Sequence, residues 1–304
     1  MAGPAFRAAA VRVRTPATSA NLGPGFDALG LSLGLYDDVV VRVAESGLHI
    51  DIAGEGADTL PRDETHLLVR SLRTTFDLLG GQPRGLELVC ANRIPHGRGL
   101  GSSAAAICAG IMAARAVTIG GAERLDDTAM LELATEIEGH PDNVAACLLG
   151  GFTLAWMDAG AARAIRMDPA DSIVPVVFVP SRPVSTETAR GLLPRTVPHV
   201  DAAVNAGRAA LLVEAMTRRP ELLLAATEDR LHQEYRTPAM PESLALMQRL
   251  RADGIAAVVS GAGPTVLALV EDSAADKVAR LAGEGWAANR LALDAGGTSV
   301  LPLA

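Results

Sequence analysis

Residues 93–110 read RIPHGRGLGSSAAAICAG, and this stretch decides which fold we expect. Three glycines within five positions are followed directly by two serines: Gly97, Gly99, Gly101, Ser102 and Ser103. Glycine lets the main chain approach a ligand closely, and a helix N-terminus carries roughly half a positive charge. The order of glycines, hydroxyls and an apolar helix therefore predicts a loop that binds phosphate through peptide N–H groups. On these residues alone, a tight turn without a ligand remains the alternative.

The loop differs from the two commonest phosphate-binding motifs. It lacks the lysine of GxxxxGK[ST], and its third glycine comes one residue too early for GxGxxG. Lys277 is the one lysine among 27 basic residues, and no glycine loop precedes it. A P-loop lysine and a lysine Schiff base are both excluded on this ground.

Composition predicts a soluble protein with two domains of about 150 residues each. The 304 residues are 49% hydrophobic with few aromatics, and the net charge is −8. Without a basic stripe, nucleic acid is not expected as a partner. Apolar runs fall short of the roughly 18 residues that span a membrane, so we expect no membrane contact. Residues 1–14 lack the apolar core of a signal peptide, so we expect a cytoplasmic location. The three cysteines are predicted to be small buried hydrophobes, and the spacing of the six histidines does not suggest a zinc site.

Hydrophobic periodicity predicts an α+β chain with a boundary near residues 160–172, giving domains 1–165 and 166–304. In the first domain, the segments 37–45 and 48–52 predict an antiparallel strand pair that turns at Ser46 and Gly47. Helices are predicted over 64–80, 103–118 and 124–139, the second buried nearly all round and the last ending at Gly139. In the second domain we predict helices over 201–217, 219–229, 241–252 and 273–284, and strands on both sides of a glycine turn in 255–270.

Two further stretches carry polar groups between glycines. TPATSANLGPGFDALG at 15–30 predicts a loop that presents Ser19, Asn21 and Asp27 to a small ligand, with a solvated turn as the alternative. SGAGPT at 260–265 separates two apolar strands. It fits either a close backbone approach to a ligand or a hairpin with an unusual turn.

In their order and spacing, PATSANLGPGFDALGL, IPHGRGLGSSAAA and SGAGPT resemble the three motifs of the GHMP kinase family over almost the whole chain. Within that family, SANLGPGFD, EGHPDNVA at 138–145 and HQEYR at 232–236 resemble the branch that phosphorylates L-homoserine. The resemblance implies a two-domain α+β fold with the active site between the domains. The N-terminal domain would be ribosomal-S5-domain-2-like with a left-handed βαβ crossover, and the C-terminal domain a ferredoxin-like α/β sandwich.

The resemblance also implies the reaction, which is transfer of the γ-phosphoryl group of ATP to the side-chain hydroxyl of L-homoserine, with Mg²⁺. The implied nucleotide-binding positions are Pro95, His96, Gly97, Arg98, Gly99, Leu100, Gly101, Ser102, Ser103, Ala104 and Ala105. Ser103 and Glu132 are the implied Mg²⁺ ligands. From spacing alone, Glu132 and Glu136 lie on one helix face and could equally be solvated carboxylates.

For the acceptor, the resemblance implies that Arg190 and Arg236 clamp the carboxylate, a task suited to the guanidinium fork. Asn21 and Asp27 would hold the ammonium and hydroxyl end. His140, Asn143 and Gly261 would complete the wall. Thr186 stands where other family members carry an aspartate, so we expect no strong general base and catalysis by positioning and charge stabilisation, with Asn21, Asp27, Thr186 and Arg190 as the catalytic set.

Several alternatives remain open at this point. The acceptor could be another small alcohol, and the fold could serve as a non-catalytic ligand sensor. A serine hydrolase is excluded because there is no GxSxG elbow. His66 could contact the adenine or only begin a helix. A homodimer is expected from the family resemblance.

Overall fold

The computed structural model describes residues 4–303. It contains a seven-stranded sheet and a four-stranded sheet, with helices packed against both. The mixed α+β class is therefore as predicted. Elements of the first half are β1 Val11–Ala20, β2 Leu29–Ala44, β3 Gly47–Gly54, α1 Leu67–Leu78, β4 Gly85–Asn92, α2 Ser102–Val117, α3 Gly121–Arg124, α4 Asp127–Glu138, α5 Pro141–Leu149, β5 Phe152–Asp158 and β6 Ala161–Met167. Elements of the second half are β7 Ile173–Pro180, α6 Thr186–Gly191, α7 His199–Thr217, α8 Leu223–Ala226, α9 Pro241–Ala252, β8 Ala256–Val259, β9 Val266–Glu271, α10 Asp272–Ala279, β10 Trp286–Arg290 and β11 Ser299–Leu301, with 3₁₀ turns at Pro220–Leu222 and Glu234–Ala239.

The first sheet runs in the order β11-β1-β2-β4-β3, with β5 on β2 and β6 on β5. The predicted hairpin of residues 37–52 is wrong, because β4 lies between β2 and β3. β4 is antiparallel to β2 and parallel to β3, and α1 makes the crossover from β3 to β4. The reason is burial. Several side chains of β4 are buried, which suits a strand with neighbouring strands on both sides. β3 exposes most of its residues, as a strand at the edge of a sheet can.

Helix α2 lies at the centre of the first half, as its apolar sequence predicted. It packs on α1, α4, α5 and β1, and ten of its sixteen residues are buried. Gly110 allows α1 to approach closely, since a Cβ there would lie 2.7 Å from the Leu68 carbonyl oxygen. Helix α4 ends at Gly139 in the left-handed conformation, with φ of 93°, as predicted for that glycine. The three cysteines are buried, also as predicted.

The second sheet is antiparallel, in the order β10-β7-β9-β8. Because the chain runs β7, helices, β8, β9, α10, β10, this is the ferredoxin-like arrangement expected from the family resemblance. Strand β11 then leaves this half and pairs with β1 of the first sheet. The proposed boundary between residues 165 and 166 falls inside β6, so the division into 1–165 and 166–304 stays a prediction. Its outermost residues, 1–3 and 304, lie outside the described part of the chain.

Between residues 4 and 303, none of the helices combines the length and the apolar character needed to cross a bilayer.

Candidate active site

The site is a cavity of about 160 Å³ where the two halves of the chain meet. The first half contributes the β1–β2 loop, the glycine loop with the start of α2, and the junction of α4 and α5. The second half contributes α6, the 3₁₀ turn at 234–239 and the turn between β8 and β9. The lining residues are Asn21, Gly97, Gly99, Gly101, Ser102, Ser103, Glu138, His140, Asp142, Asn143, Thr186, Arg190, Arg236, Gly261 and Ala262.

The glycine loop needs its glycines for two physical reasons. Gly97, Gly99 and Gly101 all have positive φ, between 64° and 75°, which disfavours any side chain. Each also lies close to other atoms. A Cβ at Gly99 would lie 2.3 Å from the Ser260 carbonyl oxygen, and a Cβ at Gly101 would lie 1.9 Å from the Thr18 hydroxyl. The loop is therefore fitted tightly between β1 and the β8–β9 turn.

The N-terminus of α2 opens into the cavity. By helix geometry, the N–H groups of its first turn have no intrahelical acceptors. Gly101 is the N-cap and supplies no side-chain hydrogen bond to them. Ser102 and Ser103 are the first two helical residues and both line the cavity. This end of α2 therefore offers free donors and a positive helix pole to an anion.

The structure separates the predicted nucleotide-binding positions into those that face the cavity and those that do not. The three glycines and both serines line it. Arg98 does not line it: its guanidinium donates to the carbonyl oxygens of Pro180 (2.9 Å) and Ser181 (2.6 Å), outside the cavity. Leu100 and Ala104 are fully buried, and Pro95 lies on the same outer side as Arg98.

A second cavity of about 190 Å³ shares Ser102 and Ser103 with the first and contains His96 and Ala105. His66 lines it and is 5% exposed. Burial lowers the pKa of His66, so the ring is neutral at pH 7. Its Nδ1 accepts the backbone N–H of Leu68 at 3.2 Å, so the proton is on Nε2. That Nε2 is buried and has no partner among the described residues, so a donor is available in an otherwise mainly apolar cavity.

The carboxylate beside Ser103 is Glu138. The Ser103 hydroxyl donates to Glu138 Oε1 at 2.6 Å. Glu132, the predicted Mg²⁺ ligand, does not lie beside Ser103, because its carboxylate accepts from Arg163 of β6 at 2.5 Å. Six residues along a helix are about 9 Å, so Glu132 is too far along α4 to reach the same point. Burial raises the pKa of Glu138, although the Ser103 bond opposes this shift. Glu136 is exposed, as one of the predicted alternatives held.

Asn21 and Asp27 shape the β1–β2 loop, and Asn21 also lines the cavity. Both have positive φ, 66° and 53°. The Asn21 side chain donates to the Gly261 carbonyl and accepts from the backbone N–H of Asp27, each at 2.9 Å. The Asp27 carboxylate is held by Arg190 through two bonds of 2.6 and 3.3 Å. The structure thus brings together Asn21, Asp27, Arg190 and Gly261.

Arg236 is fully buried and lines the cavity. Its Nη1 donates to the Gly261 carbonyl (3.1 Å) and to His232 Nδ1 (2.8 Å). Since Nδ1 accepts, His232 carries its proton on Nε2, which donates to the Gly23 carbonyl at 2.7 Å. Burial, with the charge of Arg190, lowers the pKa of Arg236 to about 10, which leaves it a cation at pH 7. Among residues 4–303 no carboxylate forms an ion pair with it, so its charge is available to a ligand.

The start of α5 places His140, Asp142 and Asn143 in the cavity wall. His140 Nδ1 and Asp142 Oδ1 are 2.6 Å apart. Burial would lower the pKa of His140, but the bond and charge of Asp142 outweigh it and raise the pKa above the usual value. Asn143 accepts from the Thr18 hydroxyl at 2.8 Å, which leaves its amide N–H₂ for another partner. Thr186, in the first turn of α6, also lines the cavity.

The sequence analysis does not name two of the lining residues, Glu138 and Asp142, nor His232, which contacts Arg236 from behind the lining. All three lie in the quoted motifs EGHPDNVA and HQEYR. The signal was thus present in the sequence, but spacing could not show which side chain of each motif faces the cavity.

Comparisons with known proteins identify the family. The model for the N-terminal domain of GHMP kinases matches residues 66–151, and the model for their C-terminal domain matches residues 201–287. The chain belongs to the GHMP kinase family. Its curated relatives include the homoserine kinase of Streptomyces avermitilis, 87% identical over 304 residues that span 100% of both chains, and that of Streptomyces coelicolor, 84% identical over 100% of this chain and 98% of the other. Among solved structures, homoserine kinase from Cytophaga hutchinsonii is 25% identical with a TM-score of 0.84, covering 99% of this chain and 100% of that one.

Proposed function

We propose that this protein is a homoserine kinase, which transfers the γ-phosphoryl group of ATP to the side-chain hydroxyl of L-homoserine and yields O-phospho-L-homoserine, a step of threonine biosynthesis. One observation carries the proposal: a single cavity joins the open N-terminus of α2, the Ser103–Glu138 pair and two arginines. The first feature suits a phosphate chain, the second a divalent cation, and the arginines a carboxylate. The 87% identity to a curated homoserine kinase over the full chain supports the same assignment.

ATP would extend across both cavities. Ser102 and Ser103 line both, so a triphosphate over the start of α2 can reach from one to the other. The adenine would then lie in the more apolar cavity, where the unpaired Nε2–H of His66 can donate to a ring nitrogen. The phosphate chain would be held by the N–H groups of the glycine loop and α2. Since the only lysine is Lys277, on α10, this binding needs no ammonium side chain.

Mg²⁺ fits the Ser103 hydroxyl and the Glu138 carboxylate, because it takes oxygen ligands and is usually held by one or two protein groups together with phosphates. When bound there, it would neutralise charge that develops on the transferred phosphoryl group. Burial raises the pKa of Glu138, and a bound divalent cation would stabilise its charged form.

The chain's own residues would position the acceptor and would not deprotonate it strongly. Arg190 and Arg236 flank the cavity from the second half and can bind the carboxylate. The free amide of Asn143 and the hydroxyl of Thr186 can orient the reacting hydroxyl. Thr186 is not a strong base, so the rate would come from in-line placement and from donors around the phosphoryl group, as suits a loose transition state.

The decisive assay measures ADP release by the purified protein with L-homoserine, L-threonine, mevalonate and shikimate as acceptors. We expect L-homoserine to give the highest kcat/KM. A clear preference for another alcohol would overturn the substrate while leaving the kinase class intact. ADP release with none of them, despite ATP binding, would favour a ligand sensor.

We propose in addition that the enzyme acts in the cytoplasm as a homodimer, as the family resemblance implies. Light scattering during size-exclusion chromatography tests the dimer, because a single species near the chain mass of 31.4 kDa would contradict it.

A further inference from the structure

Arg98 lies on the glycine loop, but its guanidinium binds main chain in the other half of the protein. It donates to the carbonyl oxygen of Pro180 at 2.9 Å and to that of Ser181 at 2.6 Å. A third bond, of 3.1 Å, goes to the carbonyl oxygen of His96 on its own loop. All three acceptors are main-chain carbonyls, so the rigid guanidinium fork joins one stretch of backbone to another.

The carbonyls that Arg98 binds lie at the end of β7, where the chain continues to α6. Residues 181–185 between these two elements belong to no helix or strand, and most of them are exposed. The Val184 N–H donates to the Gly97 carbonyl at 3.1 Å, and the Ser181 N–H donates to the turn before β10. A short exposed segment with few main-chain bonds depends strongly on each of them. Its path is therefore set largely by its contacts with the glycine loop.

The glycine loop has further anchors that do not involve this segment. The Gly99 carbonyl accepts from the Ser260 hydroxyl at 2.6 Å. The Thr18 N–H donates to the Leu100 carbonyl at 3.0 Å. Loss of the Arg98 side chain should therefore loosen the segment while the loop keeps its shape.

We propose that Arg98 is a positioning residue, which holds the start of α6 at a fixed place relative to the glycine loop. Thr186, the first residue of α6, lines the cavity, as does Gly97 of the loop. The inference rests on the proposed function, in which the loop binds the phosphate chain and Thr186 orients the reacting hydroxyl. Arg98 would thus act on the alignment of the two substrates and not on nucleotide binding. In-line transfer is sensitive to alignment, since a misplacement of about 1 Å can cost about 100-fold in rate.

The test compares Arg98→Ala with Arg93→Ala. Arg93 is exposed and lies just before the glycine loop, so its variant removes an equal charge and leaves the bonds of Arg98 in place. In Arg98→Ala we expect kcat for L-homoserine to fall about 10–100-fold, while the Kd for ATP in calorimetry stays within about threefold. Arg93→Ala should keep kcat within about twofold. Arg98→Lys can bind one carbonyl at a time and should recover part of the lost kcat.

Hydrogen exchange of main-chain amides gives a readout that does not depend on turnover. The Val184 N–H should exchange faster in Arg98→Ala than in the unmodified protein, whereas exchange in the glycine loop should not change. If the unmodified protein phosphorylates none of the acceptors, the proposed function fails. The exchange measurement then still shows whether Arg98 fixes the segment.

Three outcomes would overturn the proposal. The first is that kcat and Val184 exchange are both unchanged in Arg98→Ala. The second is a parallel loss of kcat and ATP affinity, which would place Arg98 in nucleotide binding. The third is an equal loss of kcat in Arg93→Ala, which would make the effect one of charge alone. If Arg98→Ala does not fold, Arg98→Lys replaces it in both measurements.

Discussion

Gly99→Ala should lower the free energy of unfolding more than a glycine substitution whose only cost is the unfavourable positive φ. Two costs add at this position. A left-handed φ of 75° costs a non-glycine residue about 1–2 kcal/mol. The new Cβ would also lie 2.3 Å from the Ser260 carbonyl oxygen and 2.7 Å from that of Gly263, and neither is a side chain that could rotate away. Overpacking of this kind costs about 1–3 kcal/mol, so the free energy of unfolding should fall by about 2–5 kcal/mol in all.

Gly254→Ala is the matched control. Gly254 also has a positive φ, of 80°, but a Cβ there would meet no atom within 4 Å. It should lose only the backbone contribution, about 1–2 kcal/mol. At about 2–4 °C per kcal/mol, thermal unfolding should give a Tm loss of about 2–8 °C for Gly254→Ala and about 4–20 °C for Gly99→Ala. Equal Tm losses in the two variants, or unchanged ATP binding by Gly99→Ala in calorimetry, would refute the close fit of the loop between the halves.

The remaining predictions concern single side chains of the site. Glu138→Gln should lower kcat at least about tenfold, because it removes a proposed metal ligand. Glu132→Gln should leave kcat within about twofold, because it breaks only a half-exposed ion pair with Arg163. If a coupled ADP assay shows the larger loss of kcat in Glu132→Gln, Glu132 belongs to the site. His66→Ser keeps a hydrogen-bond acceptor for the start of α1 and removes the Nε2–H donor. The Kd for ATP, measured by calorimetry, should therefore rise about 3–10-fold. An unchanged Kd would place the adenine elsewhere. The pKa of His140 is raised in the folded state, so its contribution to stability is complete below about pH 6.5 and is lost as the pH rises through the folded-state pKa. An NMR titration of the ring should show that pKa fall in Asp142→Asn, and no change would contradict the pairing.

Much of the fold could be predicted from the sequence because local patterns agree with the final packing. Helix α9 has the predicted bounds of 241–252, and α2 begins one residue before the predicted start at Ser103. The hairpin at 37–52 failed because a two-residue turn favours pairing of adjacent strands, but β4, which follows later, provides a better buried partner for β2. Strand order depends on such long-range competition, and local spacing contains no information about it.

The site shows the same division between local and long-range information. The glycine loop, Arg190 and Arg236 were found because their motifs specify them directly. The family resemblance implies Glu132, eight residues before His140, as the carboxylate ligand of the metal. In this protein α4 continues to Glu138, two residues before His140, and the carboxylate that contacts Ser103 is that of Glu138. Two features can be seen only in a three-dimensional structure. One is that Asp142 Oδ2 has no hydrogen-bond partner among the described residues, and the other is the tautomer of His232.

The position of β11 has a consequence for the order in which the protein folds during translation. The free side of β1, at residues 12–14, is covered by residues 299–301, which the ribosome makes only after the entire second sheet. Until then, β1 presents an open row of peptide N–H and C=O groups at the edge of a nascent sheet, where another chain could pair with it. The N-terminal half is therefore synthesised first, but its sheet is completed only after the second half has been synthesised.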